Sequence, residues 1–247
     1  MSNPIYAIGD IHGQIEQLEQ ALELIHADGG AEAEIVFLGD LTDRGANSRA
    51  VLDLMVKGCD DGRNWACVKG NHDRLFHNFV RDGAVTDGRL RSDLTWLHSR
   101  MGGADTLASY GVQDAGTRPV EEVLAEARDA VPEAHLAYLD ALPLWEERDA
   151  VLFVHAGIFP GVPLGAQTED DLLWIRDGFL DNPAPHPWLI VHGHTALDCP
   201  HHYGNRIDLD GGAGYGRALI PAVFEGSECW LLTDKGREAL LPNVPFC

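Results

Sequence analysis

The chain has 247 residues, 45% of them hydrophobic, enough to bury a sizeable core in one large domain or two small ones. Its formal net charge of −21 excludes a basic nucleic-acid footprint and repels any anionic ligand that local cations do not attract. No apolar run approaches the roughly 18 residues of a membrane span.

The first strand pattern, "NPIYAIGD", begins too early to leave room for a charged segment and an apolar signal region, so a cytoplasmic protein is expected. Cys59, Cys67, Cys199, Cys229 and Cys247 are scattered and never spaced C-x-x-C. That argues against a disulfide framework or a zinc knuckle and fits a reducing compartment, with all five structural or incidental.

In chain order, five short β-prone runs each stop at a polar cluster containing glycine: "IYAI-GDIHG", "IVFL-GDLTDRG", "WACV-KGNHD", "VLFV-HAG" and "WLIV-HGHT". Helical patterns follow the first three. "QIEQLEQALELIH" sets Ile15, Leu18, Leu22 and Ile25 on one face. "SRAVLDLMVKG" groups Val51, Leu52 and Met55 and predicts a stop at Gly58. "HDRLFHNFV" supplies Leu75, Phe76, Phe79 and Val80.

Between about 78 and 150 the pattern turns helical without a chemical cluster: "LRSDLTWLHSR", ending at Gly102-Gly103, and "PVEEVLAEARDAVPEAHLAYLDAL". This stretch reads as a helical insertion within one domain spanning 1–247. "RIDLD", "IPAVF" and "CWLLT" read as closing strands. "GGAGYGR" lacks the Gly-Lys-Ser/Thr ending of a P-loop and reads as a tight turn.

Strand, polar turn and helix in alternation predict an α/β protein, in which residues just past the strand ends gather on one sheet edge. That would bring together Asp10, His12, Asp40, Asn71, His155 and His194, all oxygen or nitrogen donors without a thiolate. Imidazole with carboxylate suits Mn²⁺, Fe or Zn²⁺, and Asp40, with two oxygens, can bridge two ions. Each cluster alone has a duller reading, as a turn or a hydrogen-bonded core histidine. Their common position after five strands is what favours a site.

The set GDIHG, GDLTDRG, GNHD, HAG and GHT, in this order from Gly9 to Thr195, resembles the phosphoprotein-phosphatase branch of the calcineurin-like metallophosphoesterases. Within that branch, the set resembles the bacterial and phage serine/threonine phosphatases. The resemblance implies an αββα sandwich of two mixed sheets flanked by helices, with two metal ions, Mn²⁺ first among the choices. It implies Asp10, His12 and Asp40 on one ion and Asp40, Asn71, His155 and His194 on the other. It further implies His72 as general acid, Asp43 as the carboxylate orienting it, Arg44 and Arg176 as phosphate-binding arginines, and Tyr215 as a substrate-side aromatic.

The reaction implied is attack of a metal-bridging hydroxide on a phosphomonoester, foremost phosphoserine or phosphothreonine in a protein. Two guanidiniums can clamp phosphoryl oxygens with charge-assisted hydrogen bonds. The metal pair would make the site locally cationic despite the net charge. "GHTA" has Ala196 where phosphodiesterase branches carry a second His. His192 reads as a strand-end or supporting histidine, Asp73 receives no catalytic role, and His186, His201 and His202 are expected to be solvent-exposed.

The alternative enzyme is a dinucleoside polyphosphate hydrolase, because relatives of that activity also carry "HAGI", here His155–Ile158. The intact Asp43-Arg44 pair and the short span from His155 to His194 weigh against it. A non-catalytic scaffold is disfavoured because no ligand or acid of the set is missing.

Overall fold

The computed structural model describes residues 3–247. The elements run β1 (Ile5–Ile8), α1 (Ile15–Gly29), β2 (Glu34–Phe37), α2 (Ser48–Asp60), β3 (Trp65–Cys67), α3 (Asn71–Asp82), α4 (Gly103–Ser109), α5 (Val120–Ala130), α6 (Glu133–Ala141), β4 (Trp145–Arg148), β5 (Val151–Val154), α7 (Glu169–Trp174), β6 (Leu189–His192), β7 (His201–His202), β8 (Arg206–Asp208), β9 (Ala222–Glu225), β10 (Glu228–Thr233) and β11 (Gly236–Ala239). They form two mixed sheets, ordered β11-β10-β9-β1-β2-β3 and β4-β5-β6-β8-β7.

Period-two alternation makes the sandwich. Ala7, Val36, Val151, Phe153 and Val191 turn into the layer between the sheets, where they meet Ile207, Phe224 and Leu231. Their strand neighbours Tyr6, Ile8, Ile35 and Phe37 turn outward onto α1, α2 and α3, while Leu152, Val154 and Ile190 pack on Leu172 of α7 and on Phe179. Strands buried on both faces have to read as continuous apolar runs, as these do. The result is the αββα architecture of two mixed sheets with helices on both outer faces.

Several local expectations need correction. The second helix does not stop at Gly58 but runs to Asp60, because Gly58 is where the helix meets the Trp65 ring and a Cβ would collide with it. "LRSDLTWLHSR" is not a helix but a run of turns. Trp96 N donates to Val85 O (2.7 Å) and Gly103 N to Trp96 O (3.2 Å), which ties this backbone sideways. The long helical pattern after 119 is two helices, broken at Pro132.

The stretch of about 78–150 expected as a helical insertion is not helical throughout. The third helix continues to Asp82, and residues 145–148 form the edge strand β4 of the second sheet. Its helices pack on α2 and α3 within the same hydrophobic cluster as β1.

Cys199 and Cys247 form a disulfide, whereas Cys59, Cys67 and Cys229 are free. The tail reaches Cys199 because Asn243 N donates to His202 O (2.6 Å), laying it beside β7. For the same reason His202 is buried and His201 half-buried, not exposed as their Pro-flanked sequence suggests. No helix among the described residues is long and apolar enough to cross a membrane.

Candidate metal centre and active site

Strand register assembles the site. The parallel pairs set Ile8 opposite Phe37 and Phe37 opposite Cys67, so Asp10, Asp40 and Asn71 leave the first sheet at one level. In the second sheet, Phe153 lies opposite Val191 and His192 opposite Asp208, so His155, His194 and Asp210 do likewise. The two edges face each other: His194 N donates to both carboxylate oxygens of Asp10, each at 3.1 Å.

The turns are tight and left-handed. His12 (φ 50°), Asp40 (49°), Asp43 (74°), Arg44 (66°) and His194 (67°) all occupy the positive-φ region. Asp and His tolerate it better than most residues, but such strain costs about 1–3 kcal/mol per residue. Cross-turn hydrogen bonds hold the conformation: His12 N donates to Asp40 O (2.8 Å), Gly13 N to Leu41 O (2.9 Å) and Gly45 N to His12 O (3.0 Å). Two glycines are needed for close approach, since a Cβ at Gly70 would strike Asp40 and one at Gly193 would strike Asp10.

Asp73, given no role from sequence, buckles two of these turns together. Its Oδ1 accepts from Leu41 N (2.9 Å), Thr42 N (3.3 Å) and Thr42 Oγ1 (3.2 Å), and its Oδ2 from Gly70 N (3.1 Å). Burial, with the charge of Asp40 second, pushes its carboxyl up to about 7.

All six candidate ligands are buried and converge. His12 Nδ1 donates to Thr42 O (2.7 Å) and His155 Nδ1 to Leu38 O (2.8 Å). A carbonyl can only accept, so each ring turns the lone pair of Nε2 inward. His12 Nε2 lies 3.5 Å from Asp40 Oδ2 and 3.9 Å from Asp10 Oδ2, and His155 Nε2 lies 3.5 Å from Asp40 Oδ1. Asn71 Oδ1 faces His155 Nε2 at 2.8 Å and His194 Nδ1 at 2.7 Å. Ligand atoms of Asp40, His155 and His194 fall within one metal-sized cluster; His12 and Asp40 form another with His72. Asp10 stands at the edge of that second group.

The electrostatics fit a cation. Burial pushes His12 and His194 well below the usual imidazole range and lowers His155, so these rings favour their neutral, lone-pair-donating forms. Burial, then the charges of Asp210 and Asp40, push Asp10 well above the usual carboxylate range. Asp210 is pushed up to about 6, chiefly by burial, and its buried Oδ2 finds no hydrogen-bond partner among the described residues. Opposed acceptors and under-neutralised carboxylates are the donor chemistry of a metal site.

Arg44 reaches into this cluster. Its Nη1 donates to His12 Nε2 (2.6 Å) and its Nη2 to His72 Nε2 (3.1 Å), with Cζ 4.8 Å from the centroid of the Tyr215 ring. Arg176, just beyond α7, donates from Nη2 to His194 O (3.2 Å). Tyr215 lies in a 3-10 turn between left-handed Gly212 and Gly216 and is 60% exposed. His192 stands apart: its Nε2 accepts from Arg206 Nη1 at 3.1 Å, and it belongs to neither metal-sized cluster among the described residues.

His72 Nδ1 donates to Asp43 Oδ2 at 2.6 Å. The same oxygen accepts from Trp96 Nε1 (2.8 Å), and Oδ1 accepts from Thr106 Oγ1 (2.7 Å). Asp43 is thus held by Trp96 and Thr106, from the stretch between α3 and β4 that carries no chemical cluster in its sequence. No local motif marks Trp96 or Thr106, because each meets Asp43 only through tertiary packing. Trp96→Phe keeps a buried ring but removes one donor to a charged oxygen. It should lower kcat on alkyl phosphomonoesters about tenfold, read by steady-state kinetics against an unchanged circular dichroism spectrum.

The family model for calcineurin-like phosphoesterases matches residues 3–210. The asymmetrical bis(5'-nucleosyl)-tetraphosphatase PrpE of Geobacillus thermodenitrificans is 27% identical, over 96% of this chain and 95% of that protein. A symmetrical bis(5'-nucleosyl)-tetraphosphatase of Nitrosococcus oceani is also 27% identical, over 93% and 96%. A cold-active protein-tyrosine phosphatase of a psychrophilic Shewanella superposes with a TM-score of 0.64 at 18% identity, covering 98% of this chain and 81% of that one, a likeness of fold. With the family match running through every strand-end cluster, the chain belongs to the calcineurin-like phosphoesterases and is a metal-dependent phosphatase of that family.

Proposed function

We propose that this phosphoesterase hydrolyses dinucleoside polyphosphates, the reading that ranked second on sequence alone. The observation that carries it is the Tyr215 ring, largely exposed and 4.8 Å from the Arg44 guanidinium carbon. It offers a flat face for a nucleobase beside a cation suited to phosphate. The names of the relatives that align over nearly the whole chain support the same substrate class. The intact Asp43-Arg44 pair and the short β5–β6 connection, which weigh against it, are outweighed by that full-length likeness.

In this reading, Asp10, His12 and Asp40 hold one metal ion and Asp40, Asn71, His155 and His194 a second. Bound there, the ions supply Lewis acidity toward a phosphoryl oxygen and an ionised water at neutral pH. Arg44 and Arg176 orient the reacting phosphoryl group. Asp40 also accepts from His72 N (2.9 Å), and so fixes the start of α3 and the acid it carries.

One observation favours phosphomonoester hydrolysis, including that of phosphoserine or phosphothreonine in proteins. The 2.6 Å Asp43–His72 hydrogen bond orients an imidazole for proton delivery, which a basic alkoxide needs more than a departing phosphate does. The test is hydrolysis of diadenosine tetraphosphate, p-nitrophenyl phosphate and a phosphoserine peptide by Mn²⁺-reconstituted protein. The highest kcat/KM is expected for the dinucleotide. A preference for the phosphopeptide would overturn the proposal.

A further inference from the structure

We infer that Arg217 is a specificity-determining residue that binds a phosphate beyond the one being attacked, and so selects polyphosphate chains over single phosphoryl groups. The inference deepens the dinucleoside polyphosphate reading and rests on it for the identity of the substrate.

Three observations carry it. The first is position. The Arg217 guanidinium carbon lies 5.9 Å from the centroid of the Tyr215 ring, the ring that Arg44 approaches to 4.8 Å. The two cations can be no farther apart than those distances laid end to end, about the reach of a short polyphosphate chain. One arginine meets the imidazoles at the centre of the site, and the other stands outside it.

The second is availability. Arg217 Nη2 pairs with Asp198 Oδ1 at 3.0 Å and Nη1 donates to Leu197 O at 3.1 Å, but the Asp198 side chain is 90% exposed. Such an exposed pair holds Arg217 only weakly, because water solvates the carboxylate nearly as well. A phosphate offers the guanidinium fork a charge-assisted, two-pronged partner, whereas Asp198 meets it at Nη2 and Nη1 is left to a backbone carbonyl. Arg44 and Arg176, by contrast, are engaged with His12, His72 and His194.

The third is electrostatic need. Against a net charge of −21, a polyphosphate must meet local cations at each phosphate it places on the protein. Backbone geometry fixes Arg217 for that use. Leu197 N donates to Asp210 O (2.9 Å), zipping the loop after His194 to the Tyr215 turn, and the Arg217 side chain lies across Gly212, where a Cβ would obstruct it.

The test compares wild type with Arg217→Ala, Arg217→Lys and Asp198→Ala. Inorganic tripolyphosphate and orthophosphate are titrated by calorimetry and as inhibitors of p-nitrophenyl phosphate hydrolysis. Buffered free Mn²⁺ keeps chelation the same in every arm. Arg217→Ala should weaken tripolyphosphate about tenfold, the worth of one charge-assisted contact, and orthophosphate much less, with Arg217→Lys between. Asp198→Ala, which removes the competing anion, should bind tripolyphosphate as well as wild type or tighter.

Tripolyphosphate affinity within about twofold of wild type in Arg217→Ala, no more than loss of a surface ion pair explains, overturns the inference. Equal weakening in Asp198→Ala and Arg217→Ala also overturns it, because Arg217 would then be a loop staple. If Arg217 shows the expected tripolyphosphate dependence but wild type leaves diadenosine tetraphosphate intact, the distal phosphate site stands and the dinucleotide reading falls.

Discussion

Asp40→Asn should abolish hydrolysis while leaving the metal-free protein about as stable as wild type. The Asp40 carboxylate lies at 3.5 Å from ring nitrogens of both His12 and His155, so it is the acidic group shared by the two halves of the site. An amide supplies no charge and only one ligating oxygen, and activity should fall by more than about three orders of magnitude as the means of ionising water near neutral pH is lost. Metal content measured by elemental analysis should fall with it. Chelator treatment of wild type should reproduce the loss, and added Mn²⁺ should reverse it in wild type only.

Metal-free stability should scarcely move, because two effects oppose. The charge of Asp40 helps push up the carboxyls of Asp10 and Asp73, which repel it. Its own carboxyl, although burial raises it, is held below the usual carboxylate range by His155 and the other imidazoles around it, so its charge also favours the fold. Asparagine keeps an acceptor for His72 N and tolerates the φ of 49°, which alanine does not. The metal-free melting temperature should therefore stay within about 2–4 °C of wild type, the worth of about 1 kcal/mol. A larger fall in metal-free Asp40→Asn would mean that the carboxylate serves the fold rather than the metal. Normal turnover with metal retained would remove Asp40 from the centre.

What sequence made legible was what local chemistry determines. The five runs ending in polar turns give the strand ends, and parallel register then obliges those ends to meet. Asp10, Asp40, Asn71, His155 and His194 therefore converge for the reason their spacing suggests. What was hidden depends on contacts between distant segments. Trp96 reads as one apolar position in a helical pattern, yet its backbone is tied to Val85 and its indole to Asp43. Gly58 reads as a cap because glycine often ends helices, but here it makes room for Trp65. Cys199 and Cys247 have no spacing signal, since their pairing follows from where the tail docks. Asp73 looked like an incidental member of GNHD because its partners are backbone amides, which leave no trace in side-chain patterns.

His72→Asn should separate the two substrate classes. In the ligand-free geometry His72 Nδ1 donates to Asp43 and Nε2 accepts from Arg44, so the Nε2 lone pair is directed at the guanidinium. To deliver a proton, Nε2 must first take one up, and Arg44 must let go of it. In the proposed reaction, a phosphoryl group that draws Arg44 to its own oxygens would do this, so substrate binding would ready the acid. The loss should therefore scale with the basicity of the leaving group. For a phosphoserine peptide or phenyl phosphate, His72→Asn should slow kcat by roughly 10²–10⁴-fold. For p-nitrophenyl phosphate and diadenosine tetraphosphate, whose leaving anions need little protonation, it should cost far less. Asp43→Asn should follow the same order, because it leaves Trp96 Nε1 and Thr106 Oγ1 to bind the amide and disturbs the proton at Nδ1. Equal losses on all four substrates would show that His72 positions the phosphoryl group instead of protonating what leaves. A loss confined to basic leaving groups in an enzyme that nonetheless prefers the dinucleotide would mean that the chain retains proton-delivery machinery its preferred reaction scarcely needs.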